Sequence, residues 1–160
     1  VLPFDDLIYQ TEVTGAELLA LLENAVSRAP ARDGRFAHVA GLEMSFSTQN
    51  PGVEDSARVT TPSRIADLTL YRAAGEKIVL VEDFTVVGDL DARFTIAAGD
   101  FLMAGGDGYR ALKVAADRKL EKSATSEQEA LANYLEHYLE GQVDFRYRPP
   151  FPDSRVVELN

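Results

Sequence analysis

The sequence has no cysteine and no tryptophan, only two histidines, and just 16 basic residues against 26 acidic ones in 160. Without cysteine there can be no disulfide, no thiolate metal site and no thiol chemistry. Two histidines as far apart as His38 and His137 do not suggest a dinuclear metal centre. The net charge of −10 excludes a bulk field that would gather nucleic acid polymers or acidic lipids, so any anionic ligand must be held by local contacts. No apolar run approaches the ~20 residues of a membrane span, and no membrane insertion is expected. What is present is 46% hydrophobic and 26% charged residues, the composition of one globular domain. At this length roughly two thirds of the unfolded surface can be buried, enough for a core without staples. The chain opens on Val1-Leu2-Pro3-Phe4 with no initiator methionine, which suggests a fragment of a longer protein.

Alternation of apolar and polar residues from Leu7 to Val13 predicts a strand, and a helix follows at once. Thr14 and Glu17 form a capping box, and Leu18, Leu22, Ala25 and Val26 recur at helical spacing to about Arg28. Further strands are predicted at Gly41–Ser47, Ile65–Arg72, Lys77–Val81, Phe84–Val87 and Arg93–Ala98. Tyr109–Leu120 should hold a helical turn or two. Ser126 and Glu129 make a second capping box for a helix that Gly141 stops, and Arg155–Leu159 could return as an edge strand. Strand, helix, strands, loop, helix is the order of an α+β domain, expected here as a single unit over 1–160 with a mixed β-sheet packed by helices.

The chemistry concentrates in Gly99–Gly108, with four glycines around Asp100, Phe101 and Asp107. Such a composition resists both helix and strand and predicts a shaped loop. Gly105, Gly106 and Gly108 allow positive φ and close approach to a ligand, while Asp107 presents a carboxylate between them. A phosphate cradle would place a lysine there, and a carboxylate would repel phosphate. Asp107 can instead accept hydrogen bonds from hydroxyls or N–H groups, such as those of a ribose or a base edge, and Phe101 can offer a stacking face. The plainer alternative makes Gly105-Gly106-Asp107-Gly108 a tight turn and Phe101 a core residue. The pairs Asp5/Asp6 and Asp89/Asp91 could bind calcium, but their spacing matches no calcium loop, and solvated turn charges are the better expectation. No metal set or nucleophile signature completes a catalytic apparatus.

Several motifs, taken in order, resemble the C-terminal domain of 5′-nucleotidases, UDP-sugar hydrolases and 2′,3′-cyclic phosphodiesterases. They are Leu2-Pro3-Phe4, Val13-Thr14-Gly15-Ala16-Glu17-Leu18, Gly34-Arg35-Phe36 with Val39-Ala40-Gly41-Leu42, and Asp100-Phe101-Leu102 with Gly105-Gly106-Asp107-Gly108-Tyr109. The resemblance implies that Phe4 and Phe101 clamp the base of a nucleotide or nucleoside and that Asp107 holds its sugar. It also implies an N-terminal metallophosphoesterase domain elsewhere in the same protein, two divalent metal ions in that domain and none in this one, and an extracellular, periplasmic or cell-envelope location. The chain by itself is then expected to be inactive. The competing expectation is a non-catalytic binding or adhesion module of a large surface protein that kept the fold.

Overall fold

The computed structural model describes residues 6–72, 75–143 and 155–159. Strand β1 (Leu7–Thr14) runs without a loop into helix α1 (Gly15–Val26). The junction is the predicted capping box: the Glu17 amide donates to Thr14 Oγ1 at 3.3 Å and the Thr14 amide to Glu17 Oε2 at 2.8 Å. All twelve residues of α1 are buried, so this is a central helix and not an amphipathic one lying on a surface. It packs on β1, on β3 (Ile65–Tyr71) and on α3 (Arg110–Arg118).

The strands form two sheets where one was expected. The first has β1 in the middle, flanked antiparallel by β6 (Arg93–Gly99) and β7 (Glu121–Ser126), with Thr14 opposite Arg93 and Ile8 opposite Gly99. The second runs β5-β4-β3-β2-β8, where β2 is Leu42–Ser47, β4 Lys77–Glu82, β5 Thr85–Val86 and β8 Val156–Leu159. Only β8 lies parallel to its neighbour, which makes this second sheet mixed. Leu42, Met44 and Phe46 of β2 and Ile65, Leu68 and Leu70 of β3 point inward to join Leu19, Leu22 and Val26 of α1 in the core. Helix α4 (Glu127–Asn133) carries the second capping box at Ser126 and Glu129 and continues through a π turn at Tyr134–Tyr138. It ends where Gly141 takes a φ of 72°. The chain is therefore α+β, as its element order predicts.

Glu23 and Arg64 are among the polar residues buried in this core. Glu23, fully buried, accepts through Oε1 the backbone amides of Ser63, Arg64 and Ile65 at 2.6, 3.0 and 3.0 Å. Arg64 binds back to the end of α1, donating from Nη1 to the carbonyls of Val26 and Ser27 at 2.7 Å each and from Nε to the Asn50 carbonyl at 2.8 Å. A cation thereby meets the carbonyl end of a helix that has no basic residue in its own last turn.

Arg118, at the end of α3, reaches Glu17 with both terminal nitrogens at 2.6 and 2.9 Å. Burial pushes the Glu17 carboxyl up, but the hydrogen bonds from Arg118 and Thr14 together pull it lower, leaving it below the ordinary glutamate value. A depressed folded-state pKa adds stability that is present above the unfolded value of about 4.3 and is lost as pH falls through the folded value. Glu17→Gln should therefore lower the melting temperature at pH 7, and the gap from the native protein should close in acid. Parallel melting curves from pH 7 to pH 3 check this, and a gap constant with pH would refute it.

Candidate functional site

The glycine-rich segment hangs between β6 and α3 and is more ordered than a loop. Gly99 ends β6 and caps a single helical turn, α2 (Asp100–Met103), which the sequence composition did not predict. The Ala104 amide returns to the Asp100 carbonyl at 2.9 Å and the Gly105 amide to that of Leu102 at 2.9 Å. Gly105 then takes a φ of 89°, and Gly106–Gly108 make a 3-10 turn closed by the Tyr109 amide on the Gly106 carbonyl at 3.1 Å.

This turn sends Met103 into the core and Phe101 outward, 53% exposed. The Phe101 ring lies over Gly106 so closely that a Cβ there would overlap the ring carbons. Any side chain at that position would push the ring aside, and one face of the ring is backed by main chain. Asp107 adopts a φ of 52° and a ψ of 27°, a left-handed conformation that aspartate tolerates better than most residues. Its carboxylate is exposed and has no hydrogen bond or ion pair among the described residues. Phe101, Gly105, Gly106, Asp107 and Gly108 thus stand together. Phe4 lies outside the described residues.

Asn24, 1% exposed in the last turn of α1, holds this loop from beneath. Its Nδ2 donates to the Asp107 carbonyl at 3.0 Å, and its Oδ1 accepts the Asp55 amide at 3.2 Å. Tyr109 fastens the other side through its hydroxyl, which donates to the Arg35 carbonyl at 2.6 Å. Burial pushes the Tyr109 phenol up to about 12, and the nearby Asp107 charge adds to this, so it stays a donor throughout the neutral range. Arg35 in turn binds Asp33 and Glu54 at 3.1 Å each, and Glu54 is shared with a bidentate contact from Arg28. Asn24 and the Arg35–Glu54–Arg28 cluster were not found by sequence reasoning. An Asn beside a Glu within an otherwise apolar helix was the one available signal.

A cavity of about 180 Å³ opens between Gly34–His38 on one side and Leu102, Asp107 and Tyr109 on the other. It shares Ala37, His38, Leu102 and Tyr109 with a larger cleft of about 540 Å³, mostly apolar, whose polar members include His38 and Glu127. Burial pushes the Glu127 carboxyl up, and the negative charges of Asp6 and Asp100 push it further. The acidic pair Asp89 and Asp91 forms a turn: the Asp91 amide donates to Asp89 at 2.8 Å, and Asp91 pairs with Arg58 at 3.1 Å. Among the described residues no three His, Asp or Glu side chains gather into a metal-binding group. No helix among them is long and apolar enough to cross a membrane.

The family model described as 5′-nucleotidase, C-terminal domain, matches residues 1–114. The chain belongs to this family. A curated relative in Bacillus subtilis (strain 168), the trifunctional nucleotide phosphoesterase protein YfkN, is 29% identical over 110 residues, which is 68% of this chain and 6% of that protein. The crystal structure of a 5′-nucleotidase precursor from Thermus thermophilus superposes with a TM-score of 0.73 at 27% identity, covering 100% of this chain and 26% of that one. The NAD nucleotidase of Haemophilus influenzae, at 16% identity, shares the fold with a TM-score of 0.68 over 98% of this chain and 24% of its own. The likeness to the Thermus structure therefore takes in described elements beyond residue 114, and the chain spans only a small part of the relatives it matches.

Proposed function

We propose that this domain recognises the nucleoside part of a nucleotide for a phosphoester hydrolase. The base stacks on Phe101, with Phe4 as the second ring, and the Asp107 carboxylate accepts hydrogen bonds from the sugar hydroxyls. The observation that carries this reading is a half-exposed ring seated on Gly106 beside a carboxylate without a partner among the described residues. A face backed by main chain leaves the opposite face for a base, and stacking accepts any base because every base has a π-face. The relatives named as nucleotide phosphoesterase and 5′-nucleotidase favour the same substrate class.

Cleavage of the ester is assigned to an N-terminal metallophosphoesterase domain holding two divalent ions. Their chemistry is to activate water and polarise the phosphoryl group. The part proposed for this chain is binding and orientation. The location proposed with this reading is the periplasm, cell envelope or medium, favoured by the relative named a 5′-nucleotidase precursor.

Asp107→Asn in the full-length protein that carries this domain tests the sugar contact. The change keeps the size, one acceptor and tolerance of the left-handed backbone. Hydrogen bonds to a charged acceptor are worth about 1.5–3 kcal/mol, so kcat/KM for a nucleotide should fall about tenfold or more. For the dideoxy analogue, which lacks the hydroxyls, the loss should be much smaller. Equal losses on both substrates would show that the carboxylate shapes the turn and reads no sugar.

A further inference from the structure

We propose that Asn24 is a positioning residue for substrate: from inside α1 it fixes the left-handed conformation of Asp107 and so decides where the sugar-binding carboxylate points. This rests on the sugar-binding role of Asp107 given above. Three observations converge on it. The Asn24 amide is almost wholly buried, and both of its polar ends are used, Nδ2 on the Asp107 carbonyl and Oδ1 on the Asp55 amide. The carbonyl it grips belongs to Asp107, whose left-handed angles depart from the helical geometry of the turn. The next residue, Gly108, has a φ of 78° and passes so near that a Cβ would come within 2.9 Å of Asn24 Oδ1.

The physical argument concerns a carboxylate without anchors of its own. Because no hydrogen bond among the described residues holds the Asp107 side chain, its direction is set by the backbone beneath it. A non-glycine residue in the left-handed region sits above its extended or helical minimum and returns there unless something holds it. A buried amide donor is well suited to do so, since moving the carbonyl away would leave the donor unpaired in a dry environment. The same side chain ties down the loop at Asp55, next to the Glu54 that engages Arg35. One residue thereby joins α1, the 54–55 loop and the glycine-rich turn.

The test uses the full-length protein and two variants. Asn24→Asp keeps the shape and the acceptor for Asp55 but replaces the donor facing Asp107 with an oxygen. Gly108→Ala leaves Asn24 in place but presses a methyl group against its amide at a φ of 78° that strains an alanine, and so drives the turn away from its anchor. In both, KM for a nucleotide should rise about tenfold, the size of a lost hydrogen bond. In both, kcat should be little changed and KM for the dideoxy analogue should rise less than about twofold. A purely structural role would move both substrates alike, and that result overturns the proposal, as does an unchanged KM in either folded variant. If only one variant folds, it decides. Failure of both to fold also overturns it, because the contact then holds the domain together and does not tune the site. Asp107→Asn and Phe101→Ala, measured beside them, separate the two ideas: if these leave catalysis unaltered the nucleoside reading falls, and if they impair it while Asn24→Asp does not, only the positioning role falls.

Discussion

Replacing Glu23 with alanine should lower the stability of the domain by about 3–5 kcal/mol, close to the whole margin of some natural domains. The side chain is fully buried, and its Oε1 alone accepts three backbone amides, those of Ser63, Arg64 and Ile65. Alanine would leave these donors without a partner in the core, at a cost of ~1–3 kcal/mol each when water cannot reach them, together with a cavity beneath the start of β3. The damage would spread, because Arg64 is both a donor to Glu23 through its amide and the cap of α1 through its guanidinium. Glu23→Gln keeps an oxygen for the amides and should cost less than half as much. Urea unfolding of the three proteins measures the difference. If Glu23→Ala falls within ~1 kcal/mol of the native protein, the amides have found other partners and the account is wrong.

Phe101→Ala acts on function in place of stability. In the full-length protein it should weaken nucleotide binding by roughly 1–3 kcal/mol, the usual size of a lost base–aromatic stack, or about 5- to 150-fold in kcat/KM. The fold should hardly register the change, since the ring is 53% exposed, in contrast to its buried neighbour Met103. Phe101→Tyr keeps the π-face and should retain most of the activity. Gly106→Ala offers an independent route to the same outcome, because its methyl group would displace the ring from its seat without deleting it. Normal Michaelis constants and turnover for a folded Phe101→Ala protein would make this ring an exposed apolar residue with no part in binding.

Most elements were legible because their signals are local. Thr14 with Glu17 and Ser126 with Glu129 announce helix starts within four residues, and both capping boxes are present. The alternation of Leu42, Met44 and Phe46 likewise records which face of β2 meets the core. Strand β7 was missed because Glu121-Lys122-Ser123-Ala124-Thr125-Ser126 has neither alternation nor strong β-propensity. It becomes a strand because β1 has a free edge and Thr11 donates to the Lys119 carbonyl at 2.6 Å. The division into two sheets was equally hidden, since it depends on which strands pair. In the candidate site, the glycines predicted the shaped segment that carries Phe101 and Asp107, while the roles proposed for these two side chains come from the family resemblance. Asn24, Tyr109 with Arg35, and Glu54 could not be read from the sequence, because their partners are dozens of residues away and only the fold brings them together.

The place of β1 in the middle of its sheet carries a cost in time. A ribosome delivers this strand ahead of both its partners: β6 follows ~80 residues later and β7 ~110 residues later, so at ~5–20 residues per second β1 waits several seconds with both edges open. The antiparallel pairs β2–β3 and β3–β4 need no such wait, as their partners are near neighbours in sequence. Because the turn bearing Phe101 and Asp107 hangs from the end of β6, the nascent chain can set the proposed site in place only after that late pairing. Until then this domain is a half-built sheet, with α1 packed on β3 but still lacking α3.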